Sequence, residues 1–323
     1  MIENTEKADG GVRVTQAAAP GLDVRAVGSD VAAGETVLGA GARVGPAEIG
    51  VLATVGAVAA PCHRRPRVVV LSTGDEVVDP AAEALRRGQV RDSNRSMLAA
   101  LCREAGAEVE EVGVAGDTAG EVRAAFEGAV ARGADVVVTS GGVSMGDRDL
   151  VKPVLEAMGT IHFGKVCMKP GKPLTYCVVP GGDRSVHVFG LPGNPVSSFV
   201  TFHLAVRPCL LKLAGHGRVT PRRVQAVLGC DVKMDPARPE YHRAHLTWVA
   251  PGGEGEDAHG LRECAVPAGA GHFVAVSTGS QVSSRLGSAV SALALLEIPR
   301  AEGTLRKGSP VSALLIGDAR LQL

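Results

Sequence analysis

The stretch Ser140-Gly-Gly-Val-Ser-Met-Gly-Asp-Arg-Asp149 follows the apolar run Val136-Val-Val-Thr139, so a polar, acid-bearing loop hangs from the end of what reads as a buried strand. Adjacent glycines at 141 and 142 let backbone N–H groups approach a bound anion, and Asp147 and Asp149 are spaced to hold a divalent cation beside it. The same residue types also make an ordinary strand-to-helix turn with an N-capping aspartate. Three further loops of this kind adjoin apolar runs. Ser72-Thr-Gly-Asp-Glu76 follows Arg67 to Leu71, Met168-Lys-Pro-Gly-Lys-Pro173 precedes Leu174 to Val179, and Gly190-Leu-Pro-Gly-Asn-Pro-Val-Ser-Ser198 follows Val186 to Phe189. In an open parallel sheet, loops at the carboxyl ends of the strands converge on one crevice, so these four loops predict a single site.

The elements that must position them divide the chain into three parts. Residues 67–216 alternate short β-branched runs with helical patterns, the signature of a doubly wound α/β sheet. Helices are predicted near Ser93–Glu104, with Met97, Leu98, Leu101 and Cys102 on one face, and over Ala119–Ala131, closing at Gly133. Strands are predicted at 67–71, 108–114 and 135–139. The longest helix follows Asn194, which suits its N-cap; Pro195 fits the first turn, and Pro208 predicts a kink or restart. Residues 217–323 carry short alternating segments broken by Gly and Pro, which predict a small β-barrel domain. Gly252-Gly-Glu-Gly-Glu-Asp-Ala-His-Gly260 reads there as an exposed hairpin loop. Residues 1–66 are rich in Gly and Ala, with one short helix predicted from Pro46.

Composition excludes several classes. Lys plus Arg equals Asp plus Glu at 34 each, so no basic field favours nucleic acid. No uninterrupted apolar run approaches the ~20 residues needed to span a membrane. Met1-Ile-Glu-Asn-Thr-Glu-Lys7 lacks the basic-then-apolar order of a signal peptide, so the cytosol is the expected location. The seven cysteines show no C-x-x-C spacing and mostly sit in apolar runs, which predicts buried reduced thiols, Cys167 among them. His242-Arg-Ala-His245 has chelating spacing on a helix, but its surroundings read as strand.

The chain resembles the molybdenum insertase family, the molybdopterin molybdenumtransferases, and looks most like the plant-type insertase domain that is related to gephyrin. The resemblance rests on Leu71-Ser-Thr-Gly-Asp-Glu76, Gly88-Gln-Val-Arg-Asp-Ser-Asn-Arg95, Thr139 to Asp149, Met168 to Pro173 and Leu191-Pro-Gly-Asn-Pro-Val-Ser197. Gln281-Val-Ser-Ser-Arg-Leu286 and Ala292 to Pro299 extend it to nearly the whole chain. Family chains normally begin with well over a hundred further residues, so the chain is expected to be N-terminally truncated, with residues 1–66 the remnant of an elongated domain. The resemblance implies that Gly21 to Val37 within this remnant is β-rich.

It also implies substrates and roles. Molybdate and molybdopterin, or its adenylate, are the expected substrates, with Mg²⁺ as the divalent cation and AMP as a product. Lys169 and Lys172, on either side of Pro170-Gly171, would supply charge to molybdate or phosphate oxygens. Ser197, in the first turn of its helix, would sit where unpaired N–H groups favour an anion. Asp75, Glu76, Asp147 and Asp149 would hold magnesium and orient a water, with Asp75 and Asp149 catalytic. Gly141, Gly142 and Ser144 would cradle pterin atoms, Asp92, Ser93 and Asn94 would hold the nucleotide or the pterin edge, and Gly193, Asn194 and Pro170 would line the cofactor. Arg243, Ser283 and Ser284 resemble positions that close the site from a neighbouring subunit. A homodimer and an adenylyltransferase, fused or separate, are the expected partners. Two other readings stay open, a gephyrin-like scaffold without catalysis and a molybdopterin adenylyltransferase.

Overall fold

The structure, a computed structural model, describes residues 2–17, 19–116, 118–142, 150–250 and 271–317. It divides into two compact units, Met1–Pro61 and Cys62–Leu323. In the first, β1 (Thr5–Ala8) pairs antiparallel with β2 (Gly11–Val14), and α1 (Pro46–Thr54) begins with proline in its first turn and Glu48 reaching back to the Gly45 N–H. The implied β-rich stretch from Gly21 to Val37 is instead a series of turns and bends. Gly21, Gly28 and Gly34 all have positive φ, which interrupts an extended run every six or seven residues. No residue of α1 is buried, as expected of a Gly- and Ala-rich segment with few large apolar side chains to sequester.

The second unit begins with β3 (Arg67–Thr73), from which a short parallel ladder of β4 (Val77–Val78) and β5 (Val90–Arg91) leads into α2 (Ser93–Glu104). Then come β6 (Glu108–Ala115), α3 (Ala119–Ala131), β7 (Val136–Ser140), α4 (Val151–Met158), β8 (Thr160–Phe163), β9 (Thr175–Gly181) and β10 (Arg184–Leu191). These strands form one sheet in the order β6-β3-β7-β10-β9-β8. Strands β6, β3, β7 and β10 run parallel, whereas β9 and β8 complete an antiparallel margin. Val68 to Leu71 and Val136 to Val138 are buried on both faces, the condition for a central parallel strand. One face packs Val69, Leu71 and Val137 against Val122, Phe126, Val151 and Leu155 of α3 and α4. The other packs Val68, Val70 and Val138 against Leu98 and Cys102 of α2 and against Phe202, Val206 and Leu210.

Those last residues belong to one 19-residue helix, Pro195–Leu213, made of α5 (Pro195–Thr201), a π turn (Phe202–Val206) and α6 (Arg207–Leu213). Pro208 does not break it. The π turn, in which Arg207 N–H reaches the Phe202 carbonyl, widens the ladder where proline supplies no donor. The helix is apolar and long enough for a bilayer, yet half of it is buried in the protein, as befits a core helix.

Five strands then close a barrel, β11 (Arg223–Leu228), β13 (Glu240–Val249), β14 (His272–Ser277), β15 (Ala294–Ile298) and β17 (Pro310–Leu315), in the order β11-β14-β13-β15-β17. A two-residue pair, β12 (Val232–Lys233) with β16 (Thr304–Leu305), lies beside it. Ala226, Leu228, Ala244, Leu246, Ala275, Leu296 and Ala313 fill the interior, small residues alternating with leucines. His242 and His245 are three apart on β13, so their side chains leave opposite faces and do not chelate. Met168, Val196 and Val200 pack against Ala292, Leu295 and Leu314, joining sheet and barrel through an apolar seam.

Of the six described cysteines only Cys102 and Cys177 are buried; Cys62 and Cys167 are exposed, which corrects the reading of Cys167 as packing. The acidic run at 252–260 lies outside the described residues. At the amino ends of the strands, Asp135 accepts both Arg64 guanidinium nitrogens at 2.6 Å and the Arg67 N–H at 2.8 Å, pinning the segment before β3 to the start of β7. Burial alone would raise the Asp135 carboxyl, but these donors hold it below its ordinary value of 3.8. A group depressed on folding stabilises above its unfolded pKa, and the contribution fades as pH falls through the folded value. Asp135→Asn is therefore expected to cost about 1–2 kcal/mol at pH 7. In chemical denaturation the gap between parent and variant should close below pH ~4, and a gap unchanged at pH 3 would contradict this account.

Candidate functional site

The carboxyl ends of β3, β7 and β10 lie side by side, with Leu71 opposite Thr139 and Gly190 opposite Thr139 in register. The Met168–Pro173 loop reaches the same edge although it precedes its strand. Because β9 is antiparallel to β10, with Thr175 paired to Gly190, the start of β9 lies at the end of β10. Three loops and the start of a fourth, Ser140 to Gly142, thus meet at one edge, presented by a doubly wound sheet in which β9 is reversed.

The glycines here answer to steric need. A Cβ on Gly141 would lie 2.7 Å from the Thr73 carbonyl oxygen, and one on Gly142 would lie 2.7 Å from Val151 Cγ2, with both residues at positive φ. The Gly141 N–H donates to the Leu191 carbonyl at 3.1 Å, so this donor is spent on holding β7 to β10 and does not serve an anion. Thr73 Oγ1 donates to the Ser140 carbonyl at 3.4 Å and Ser72 Oγ lies 3.4 Å from Ser140 Oγ, tying β3 to β7. Val143 to Asp149, which include Ser144, Asp147 and Asp149, lie outside the described residues.

Asp75 and Glu76 are exposed at the end of β3, and Glu76 folds its carboxylate against Gly74. Two adjacent exposed carboxylates suit magnesium, which takes one or two carboxylates and keeps water or phosphate oxygens for the rest. Among the described residues no three Asp, Glu, His or Cys side chains are grouped as for an all-protein metal cage. Asp92 is buried and caps α2, accepting the Arg95 N–H at 2.9 Å, with Arg95 also bridging to Asp79 at 2.9 Å. The cap uses Oδ1; Oδ2 is buried without a hydrogen-bond partner among the described residues. Ser93 is exposed beside it. Asn94 crosses to another loop, its Nδ2 donating to the Gly193 carbonyl at 2.8 Å. The Asn94 Oδ1 is buried and has no hydrogen-bond partner among the described residues, leaving an acceptor beside the exposed Gly193 and Asn194.

Asn194 occupies the N-cap position of α5 but its side chain makes no cap bond. Ser197 is buried two residues after Pro195. The Val196 N–H, expected to be free for an anion, instead donates to the Ser283 carbonyl at 3.0 Å. The Ser283–Ser284 loop therefore docks on α5 of its own chain. Arg243 does not line the site. It is fully buried under the same loop, donating to Ser288 Oγ at 3.1 Å, and burial pulls its pKa down to about 10 against the opposing effect of Glu240.

The two lysines differ sharply. Lys172 is exposed, and its ammonium forms no ion pair among the described residues. Its backbone is fixed, because its carbonyl accepts the Val166 N–H at 2.9 Å and Gly171 leaves no room for a Cβ against Thr201. The Lys169–Pro170 peptide is cis, and Pro170 is buried. Lys169 is stitched to the barrel by its backbone, giving its N–H to Pro239 and accepting the Tyr241 N–H, at 2.9 and 2.8 Å. Its ammonium lies 3.0 Å from Glu240 Oε2 and 3.5 Å from Asp235 Oδ2. Sequence reasoning missed both acids. They lie 66 and 71 residues after the lysine, and only the docking of barrel on sheet brings them together.

Family profiles match this chain in three places. Residues 69–212 match the "Probable molybdopterin binding domain", 1–56 the "MoeA N-terminal region (domain I and II)" and 261–316 the "MoeA C-terminal region (domain IV)". Gephyrin of Dictyostelium discoideum is 39% identical over 98% of this chain and 46% of its own length. The molybdopterin molybdenumtransferase of Haemophilus influenzae is 37% identical over 73% of this chain and 57% of its own. The chain thus spans about half the length of these relatives. The crystal structure of a molybdopterin biosynthesis MoeA protein from Pyrococcus horikoshii superposes with a TM-score of 0.73 at 30% identity, covering 97% of this chain and 70% of that one. With all three profiles in order and the sheet, helices and barrel shared, the chain belongs to the molybdopterin molybdenumtransferase family, which also includes gephyrin-type proteins.

Proposed function

We propose that this chain completes molybdenum cofactor by inserting molybdate into molybdopterin, received as its adenylate, with release of AMP. The observation that carries the reading is the meeting of three polar loops and the start of a fourth at one sheet edge, with an exposed Lys172 that has no ion pair among the described residues, in a chain of this family. On this reading the sheet domain, 67–216, bears the site, the barrel, 217–323, buttresses it, and residues 1–66 belong to a third domain. The protein works in the cytosol as a homodimer, fed by an adenylyltransferase.

The substrates are rich in anionic oxygen, so the protein's main task is to place anions and balance their charge. Lys172 draws molybdate to the edge, and Lys169 and Ser197 orient it. The fixed Asn94 Oδ1 accepts an N–H of the pterin or the adenine, while Ser93, Gly142, Gly193 and Asn194 line the bound molecule. Asp75 and Glu76, with Asp147 and Asp149, would hold Mg²⁺, which when bound would neutralise charge on the adenylate phosphate. Asp75 and Asp149 orient the water that attacks that phosphate, and AMP leaves. The dithiolene, which that hydrolysis leaves untouched, then takes the positioned molybdate: two Mo–S bonds form, one oxo oxygen leaves molybdenum, and the two thiol protons carry it off as water.

Incubation with adenylylated molybdopterin, molybdate and Mg²⁺ tests this. Parent protein should release AMP and yield molybdenum-loaded product, and Lys172→Ala should lower molybdate-dependent turnover roughly 10- to 100-fold, the worth of one charge-assisted bond. Equal turnover by parent and variant would contradict the assignment. Asn94→Ala should raise the KM for the pterin substrate about tenfold with the molybdate KM unchanged. A loss of stability without that split would leave Asn94 a purely structural residue.

A further inference from the structure

Lys169 and Lys172 are three residues apart on one rigid turn, yet their electrostatic settings are opposite. Lys172 is exposed and has no ion pair among the described residues, whereas Lys169 lies between Glu240 and Asp235. Glu240 is 5% exposed and is held on its other side by His242 Nδ1 at 3.2 Å, with His242 Nε2 anchored to Ser277 Oγ at 2.8 Å. Asp235 accepts the Ala237 and Arg238 N–H groups at 2.8 and 3.1 Å, and the Arg238 guanidinium lies 4.0 Å away. Burial alone would raise the Glu240 carboxyl, but His242 and Lys169 hold it below its usual range, so it stays ionised at neutral pH. Counting Lys169 and Arg238 against Asp235 and Glu240, the charges cancel, two against two.

We propose that Glu240, reaching from the barrel, is a positioning residue that cancels the charge of Lys169. Lys169 is then a fixed N–H donor, and the net field that captures the oxyanion comes from Lys172. This rests on the insertase reading and deepens it. The physical point concerns release as well as capture. Two uncompensated lysines on one turn would bind any tetrahedral oxyanion tightly and indiscriminately, whereas one compensated donor keeps directionality without adding net attraction. Glu240 thereby sets how tightly the site holds its anion.

The direction of the expected effect separates this from a structural role. A purely structural ion pair, once broken, loosens the lysine and weakens anion binding. Removing the compensating charge strengthens it. In calorimetric titration of the full chain with sodium molybdate, Glu240→Gln should bind at least about threefold more tightly than the parent, the effect of deleting one charge some 6 Å away in a water-like dielectric. The gain should shrink with added salt, vanish in the Lys169→Ala/Glu240→Gln double variant, and be absent in Glu240→Asp, which keeps the charge. If Glu240→Gln fails to fold, Asp235→Asn is expected to shift affinity in the same direction by a smaller factor. Weaker or unchanged binding by a folded Glu240→Gln, where Lys172→Ala does weaken binding, overturns this inference alone. A parent chain that takes up no molybdate, or a Lys172→Ala variant that binds like the parent, overturns the anion site itself and this inference with it.

Discussion

The structure depends on the parallel ladder of β3, β7 and β10, whose strands are buried on both faces. Val68 to Leu71 and Val136 to Val138 can carry no polar side chain without stranding it in the core, because helices cover the sheet above and below. Polar chemistry is thereby forced to the strand ends. At the amino end it takes the form of the Asp135 clamp on Arg64 and the Arg67 N–H, which aligns β3 with β7. At the carboxyl end the ladder is drawn so close that only glycine fits at 141 and 142, and the loops spread from there.

Much of this was legible in the sequence, for identifiable reasons. The helix at Ser93–Glu104 shows a clean apolar face, and the structure gives it those bounds, with Asp92, read from sequence as a ligand contact, at its cap. Val136 to Val138 are β-branched and uninterrupted, and the predicted barrel rests on alternation that the small interior residues require. What could not be read is long-range. Nothing in Leu174 to Val179 says that the strand runs antiparallel, since direction is set by the hairpin with Arg184–Leu191 and the register that follows. The burial of Arg243 and the pairing of Lys169 with Glu240 and Asp235 both depend on where the barrel docks. Gly21 to Val37 failed for the opposite reason, because local glycine geometry prevailed over an expectation taken from resemblance.

Sheet and barrel meet in one seam, and the seam has two layers. Beneath, Met168, Val196 and Val200 pack against Leu295 and Leu314, an apolar contact that fixes distance. Above, the Lys169 backbone bonded to Pro239 and Tyr241 and its ammonium paired with Glu240 fix orientation. The division is physically sensible, since apolar burial is non-directional and hydrogen bonds and ion pairs are not. It makes the barrel part of the electrostatics of a site that the sheet presents, and it explains why the Ser283 carbonyl rather than a ligand takes the Val196 N–H.

The central claim is that the strand-end loops beside Lys172 hold the molybdate. Crystals of the protein soaked in molybdate and measured at the molybdenum absorption edge test it most directly. The account predicts an anomalous peak within hydrogen-bonding reach of the Lys172 ammonium, about 3 Å from ammonium to oxyanion oxygen, at the edge where the ends of β3, β7 and β10 meet the start of β9. A peak confined to another surface, with this edge empty at saturating molybdate, would contradict it.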